Sequence, residues 1–129
     1  MVNKFTSSIT FLRAKDLDET SAFYEEILNC PLILDQGSCR IYETSPSGSY
    51  LGFCSHTTPS KDPNSVCLTF VVATKKEVDE WHQLLKEKDV PIKNPPVEKD
   101  QFKIYNFFAA DPNGYTIEIQ AFLHPFPPE

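Results

Sequence analysis

Basic residues are scarce in this chain of 129: 12 lysines and arginines stand against 18 aspartates and glutamates, a formal net charge of −6. Nucleic acid and anionic membrane surfaces reward clustered Lys and Arg, so the balance argues against both as partners. An unbroken apolar stretch of spanning length is also missing, and the opening MVNKFTSS has no apolar core of signal-peptide length. These absences lead us to expect a soluble, cytoplasmic protein whose partner is a small molecule or another protein. Cys30, Cys39, Cys54 and Cys67 form no C-x-x-C pair, which argues against a zinc knuckle or a thioredoxin-type redox site. Reduced thiols are expected. A disulfide framework is the alternative, but the alternating strands around Cys54 and Cys67 promise a core that needs no such help.

What is present centres on Phe107 to Phe122, FFAADPNGYTIEIQAF, an apolar run and an alternating run separated by Asp-Pro-Asn-Gly. Asp111 can bond its own downstream backbone, Pro112 presets φ and Gly114 tolerates positive φ, so a tight turn joining two strands is predicted. Side chains alternate across a strand, which sets Ile117, Ile119 and Ala121 on one face and Thr116, Glu118 and Gln120 on the other. Glu118 is thus either solvated on an open sheet face or held in a lined cleft.

The chain is long enough to bury a core as a single domain, 1–129. SITFLRA (8–14) alternates as a strand, with Thr10, Leu12 and Ala14 opposite Ile9, Phe11 and Arg13. Asp16 or Asp18 caps a helix carrying Phe23, Tyr24, Ile27 and Leu28, which ends near Asn29. Strands are predicted over 31–35, 39–44 and 50–55, with a turn at Ser45–Gly48. A Pro-containing connector, 57–65, divides the chain. Beyond it a strand over 66–73 precedes a helix opened by the capping box Thr74 and Glu77. Pro95 and Pro96 confine the next extended segment to an edge or loop, and strands over 102–110 and 115–122 follow. The tail 123–129 holds three prolines and Phe126, so it is expected to be extended and docked.

The halves repeat. Pro46 and Gly48 match Pro112 and Gly114 at one offset, 112 − 46 = 66 and 114 − 48 = 66. Facing Thr10, Leu12 and Ala14 with Leu68, Phe70 and Val72 takes 68 − 10 = 58; shifting by one would exchange the two faces of the strand. The fold class is therefore α+β, with two tandem βαβββ modules over 6–56 and 66–122.

Asp16-Leu17, Ser21, Phe23-Tyr24 and Leu28 near the start, with DPNGYTIEI near the end, make the sequence resemble the vicinal oxygen chelate superfamily over residues 8–122. That superfamily includes glyoxalase I, extradiol dioxygenases, fosfomycin-resistance enzymes and bleomycin-binding proteins. The resemblance implies sheets curled around a cleft, a homodimer, and metal ligands on the first, fourth, fifth and eighth strands. Those places hold Ile9, Gly52, Cys67 and Glu118 here, and only Glu118 is the expected ligand. Two donors are too few for zinc, so no metal cofactor is expected. The alternative is one divalent ion (Zn, Ni, Mn or Fe) held by His56, Cys67 and Glu118. Phe11, Arg13, Tyr50, Cys54, Cys67, Thr69, Thr116 and Gln120, with Glu118 as candidate catalytic residue, are the expected cleft lining. Arg13 would bind a ligand carboxylate or phosphate, or pair with Glu118, the reading preferred. The resulting function is a glyoxalase/bleomycin resistance/dioxygenase-like protein handling a small organic ligand. The alternative is a metal-dependent lyase, isomerase or dioxygenase.

Overall fold

β1 (Ser8–Arg13) ends where Asp16, in extended backbone, accepts the N–H groups of Asp18 and Glu19 and so caps α1 (Leu17–Ser21). The helix widens into a π-helical stretch, Ala22–Ile27, and stops at Asn29, whose φ of 59° suits a residue that tolerates the left-handed region. β2 (Leu32–Asp35), β3 (Cys39–Ser45) and β4 (Ser49–Cys54) follow and form a sheet of order β1-β4-β3-β2, in which β1 runs parallel to β4. The structure, a computed structural model, describes residues 5–55 and 62–128. It divides into two compact units, Met1–Lys61 and Asp62–Glu129, with the boundary inside the connector read from the prolines.

In the second unit a 3-10 turn at Pro63–Ser65 leads to β5 (Cys67–Val71), α2 (Lys75–Glu87), β6 (Val97–Lys99), β7 (Ile104–Ala110) and β8 (Thr116–Phe122). Their order, β5-β8-β7-β6, repeats that of the first sheet, and β5 runs parallel to β8. Thr74 accepts the Glu77 N–H while the Glu77 carboxylate accepts the Ala73 N–H, a capping box displaced by one residue. β6 is the edge strand that the prolines foretold.

The registers agree with the offsets read from the sequence. Thr10 pairs with Leu51 and Leu68 with Ile117, so that 68 − 10 = 58 on the first strand of each unit and 117 − 51 = 66 on the last. Both turn glycines need positive φ, +100° at Gly48 and +90° at Gly114. At the second turn Asp111 Oδ1 accepts the N–H groups of Asn113 and Tyr115 at 2.9 and 2.8 Å, the downstream bonding expected of it.

Each sheet buries one face. In the first unit Tyr24, Tyr42 and Phe53 are fully buried, their ring centres 4.7 to 6.1 Å apart, and the Tyr42 hydroxyl finds Ser21 Oγ at 2.6 Å. In the second, α2 lies against β7 and β8 and buries Val78 and Leu85, while Phe107, Ile117 and Ile119 are buried from the sheet.

The expectation of four reduced thiols is corrected in one place: Cys39 and Cys54 are disulfide-bonded, leaving Cys30 and Cys67 free. The cause is register. Cys39 stands opposite Cys54 across β3 and β4, and the Ser55 N–H bonds Ser38 O rather than either cysteine. They are therefore a non-hydrogen-bonded pair, where cross-strand side chains come closest; the Cα atoms are 4.1 Å apart.

Candidate ligand face of the second sheet

Alternation along β8 turns Thr116, Glu118 and Gln120 away from α2, and the registers decide what surrounds them. Cys67 and Thr69 of β5 lie beside Thr116 and Glu118, while Phe108 and Asn106 of β7 lie opposite Glu118 and Gln120. Glu118 Oε1 accepts Thr69 Oγ1–H at 2.7 Å, and Oε2 accepts Asn106 Nδ2–H at 2.6 Å. Both donors are neutral. They orient the carboxylate without cancelling its charge, and a carboxylate has lone pairs to spare beyond two bonds.

Cys67 Sγ lies 3.9 Å from Glu118 Oε1 and 3.8 Å from Thr69 Oγ1. Desolvation raises its thiol above the ordinary value; the Glu118 charge adds to this, and the Thr69 hydrogen bond and Lys93 oppose it. A thiol held protonated is a poor nucleophile. Lys93 Nζ donates to Thr116 Oγ1 at 2.7 Å.

This face opens into a hollow of about 410 Å³, within the range of small-molecule sites. Lys99, Phe108 and Phe122 wall it around Asn106, Glu118 and Gln120. Lys99 Nζ sits 4.6 Å from the Phe108 ring centre, and Phe126 of the tail stacks on Phe122 at 4.2 Å. A larger hollow of about 550 Å³ lies at the C-terminal end of α2, bounded by Lys86 and Pro95, but it holds none of the candidate site residues read from the sequence.

The remaining predicted residues lie on the open face of the first sheet. Phe11 pairs with Gly52, Arg13 with Cys54 and Ile9 with Tyr50. Cys54 faces as expected, yet it is buried and bonded to Cys39, so it offers no thiol. Gly52 is covered: a Cβ there would collide with Cδ1 and Cε1 of Phe11. The sequence reading missed Asn106, Phe108 and Lys99. The available signal was Asn106 itself, an amide inside the aromatic run Tyr105 to Phe108, which counting back from the Asp111 turn sets opposite Gln120.

The four positions matched to metal ligands supply two donor side chains, Cys67 and Glu118, and among the described residues no group of three or more His, Cys, Asp or Glu could hold an ion. The covering ring means that the fourth-strand position has no room for a donor unless Phe11 moves. His56, the third member of the alternative set, lies outside the described residues. The residues described do not fit the family's metal. Among the described residues no helix is long and apolar enough to cross a membrane.

Two mixed four-stranded sheets in βαβββ order, each with one open face, define the glyoxalase/bleomycin resistance fold. Residues 6–119 match the sequence profile of the Glyoxalase/Bleomycin resistance protein/Dioxygenase superfamily, and the chain belongs to that family. Solved structures agree. A glyoxalase/bleomycin resistance protein/dioxygenase from Nocardioides is 19% identical with a TM-score of 0.77, the match covering 100% of this chain and 91% of that one. An integron cassette protein from the mobile metagenome of a Halifax Harbour sewage outfall is 23% identical, with a TM-score of 0.76 and coverage of 90% and 97%. A lactoylglutathione lyase from Agrobacterium tumefaciens is 20% identical, with a TM-score of 0.71 and coverage of 88% and 90%. None of the curated proteins matches the sequence.

Proposed function

We propose that this protein handles a small organic ligand on the open face of β5, β8 and β7, without a resident metal, and that Glu118 is its principal polar contact. The observation that carries the reading is the support of Glu118: a hydroxyl and a carboxamide, both neutral, hold the carboxylate toward a hollow of ligand size. Held so, Glu118 can accept a hydrogen bond from a ligand or remove a proton from it. Family membership supports a small ligand, and the donor count supports the absence of an ion.

Metal analysis of protein purified without chelators, together with a thermal-shift screen of small oxygenated compounds, tests this. Less than about a tenth of an ion per chain and a ligand whose shift vanishes in Glu118→Ala are expected. One ion per chain, lost in Glu118→Ala, would overturn the metal-free reading in favour of a metal-dependent lyase, isomerase or dioxygenase.

The reading includes a homodimer in the cytoplasm. Ile9 and Phe11 are exposed on the open face of the first sheet, apolar surface of the kind a second subunit covers. Light scattering at the mass of one chain would remove the dimer from the proposal.

A further inference from the structure

Lys99 and Glu118 carry opposite charges, line one hollow and do not pair. They are the charged side chains that β5 to β8 turn to the open face; Glu98, the other charged residue on those strands, bonds Lys75 of α2 instead. Lys93 adds a second cation at the Thr116 end of the same face. Two cations thus stand beside one acid, the reverse of the balance that gives the chain its net charge of −6. Lys99 is half-buried with its ammonium over the Phe108 ring, and Phe108 stands directly across from Glu118. Among the described residues no carboxylate lies within ion-pairing distance of that ammonium, Glu118 included. A ring face offsets part of the cost of drawing an ammonium from water, and an anion would offset more. Glu118 is likewise half-buried, so it keeps accessible surface, and its two neutral donors leave it capacity to accept a further bond.

From this juxtaposition we infer that the hollow binds the anion of a small hydroxy-carboxylic acid. Its carboxylate accepts from the Lys99 ammonium, its hydroxyl donates to Glu118, and its carbon skeleton lies along the aromatic lining at Phe102 and Phe108. A monoanion matches the single ammonium of this hollow, whereas a doubly charged phosphate would set uncompensated charge beside Glu118. The hydroxyl matters because an acid without a donor would face Glu118 as a like charge with no bond to offset the repulsion. The inference rests on the small-ligand reading above and goes beyond it by naming the ligand's chemistry and giving Lys99 a role in choosing it.

The probes are mandelate and 4-hydroxybenzoate, in which acid and hydroxyl stand close together and across a ring. Phenylacetate and benzoate are the same skeletons without the hydroxyl, and mandelamide and 4-hydroxybenzamide are the same without the charge. Titrated into the full-length ¹⁵N-labelled protein, at least one probe should bind saturably and about fivefold more tightly than its bare acid and its amide, and its binding should weaken as salt is raised. That comparison needs no variant. Lys99→Met keeps an apolar stem of similar length and should weaken the probe by about fivefold. Glu118→Gln should shrink the preference for the hydroxyl below about twofold, because a neutral amide accepts more weakly and does not repel the bare acid. No saturable binding of either probe, bare acids or amides that bind as tightly, or either variant folded as the parent with its affinities unchanged would each overturn the inference. Amide binding that depends on Glu118 but not on Lys99 would overturn it while leaving the broader small-ligand reading in place. One metal ion per chain, lost in Glu118→Ala, removes that reading instead.

Discussion

Cys30 and Cys67 share a residue type and differ in setting, and the difference is measurable. Burial pushes the Cys30 thiol from 9.0 up to about 11. The folded state therefore prefers the neutral thiol: this stability is fully present below pH 9 and is lost as pH rises from 9 toward about 11, because the unfolded chain ionises first. Thermal unfolding should lose about 2 kcal/mol across that window through Cys30, and Cys30→Ala should show less alkaline loss. Burial also raises the Tyr42 hydroxyl, so some loss should remain in the variant. A thiol reagent at neutral pH should modify exposed Cys67 well before buried Cys30. At this scale the sequence was informative wherever alternation alone decides. Thr69, Thr116, Glu118 and Gln120 do share a face, and Glu118 does turn from the core. Alternation is silent about neighbours on other strands, which is why Asn106, now the residue holding Glu118, went unnamed.

Elements were legible through their ends. Asp16, one of the two aspartates read as the cap, and Thr74 cap the two helices, and Thr74→Ala should cost about 1 kcal/mol of stability in chemical denaturation, since the Glu77 N–H then loses its acceptor. Gly114→Ala should cost about 1 kcal/mol or more, measured the same way: its φ is +90°, and a Cβ would lie 3.0 Å from Pro63 Cγ. The Cys39–Cys54 bond was obscured for a different reason. Counting outward from the Ser45–Gly48 turn pairs the two cysteines, since 45 − 39 = 6 and 54 − 48 = 6, but composition alone weighs thiols by compartment. Closing a loop with a sequence separation of 15 should stabilise the protein by about 3 kcal/mol. Denaturation with and without a phosphine reductant measures it, and identical midpoints would mean that the bond is not formed in the purified protein.

Across the molecule, the tail joins the second unit through Phe126 on Phe122 and through the Leu123 N–H on Lys103 O. Deleting 124–129 should lower stability by about 1 kcal/mol, the scale of an aromatic pair, while an unchanged melting temperature would make the stack incidental. The larger lesson lies in the repeat. With the offsets 58 and 66, the Phe11–Gly52 rung of the first sheet corresponds to the Thr69–Glu118 rung of the second, since 11 + 58 = 69 and 52 + 66 = 118. One copy of this rung is sealed by a ring over a glycine, and the other presents a hydroxyl-braced carboxylate. The chain thus carries its own internal control. Transplanting the second rung onto the first takes two substitutions that depend on each other, because Glu at 52 and Phe at 11 compete for the same volume. Gly52→Glu alone should destabilise by more than it does in the presence of Phe11→Thr, with a coupling of about 1 kcal/mol. A history that passed from one rung to the other would have had to clear the phenyl ring before it could install the acid.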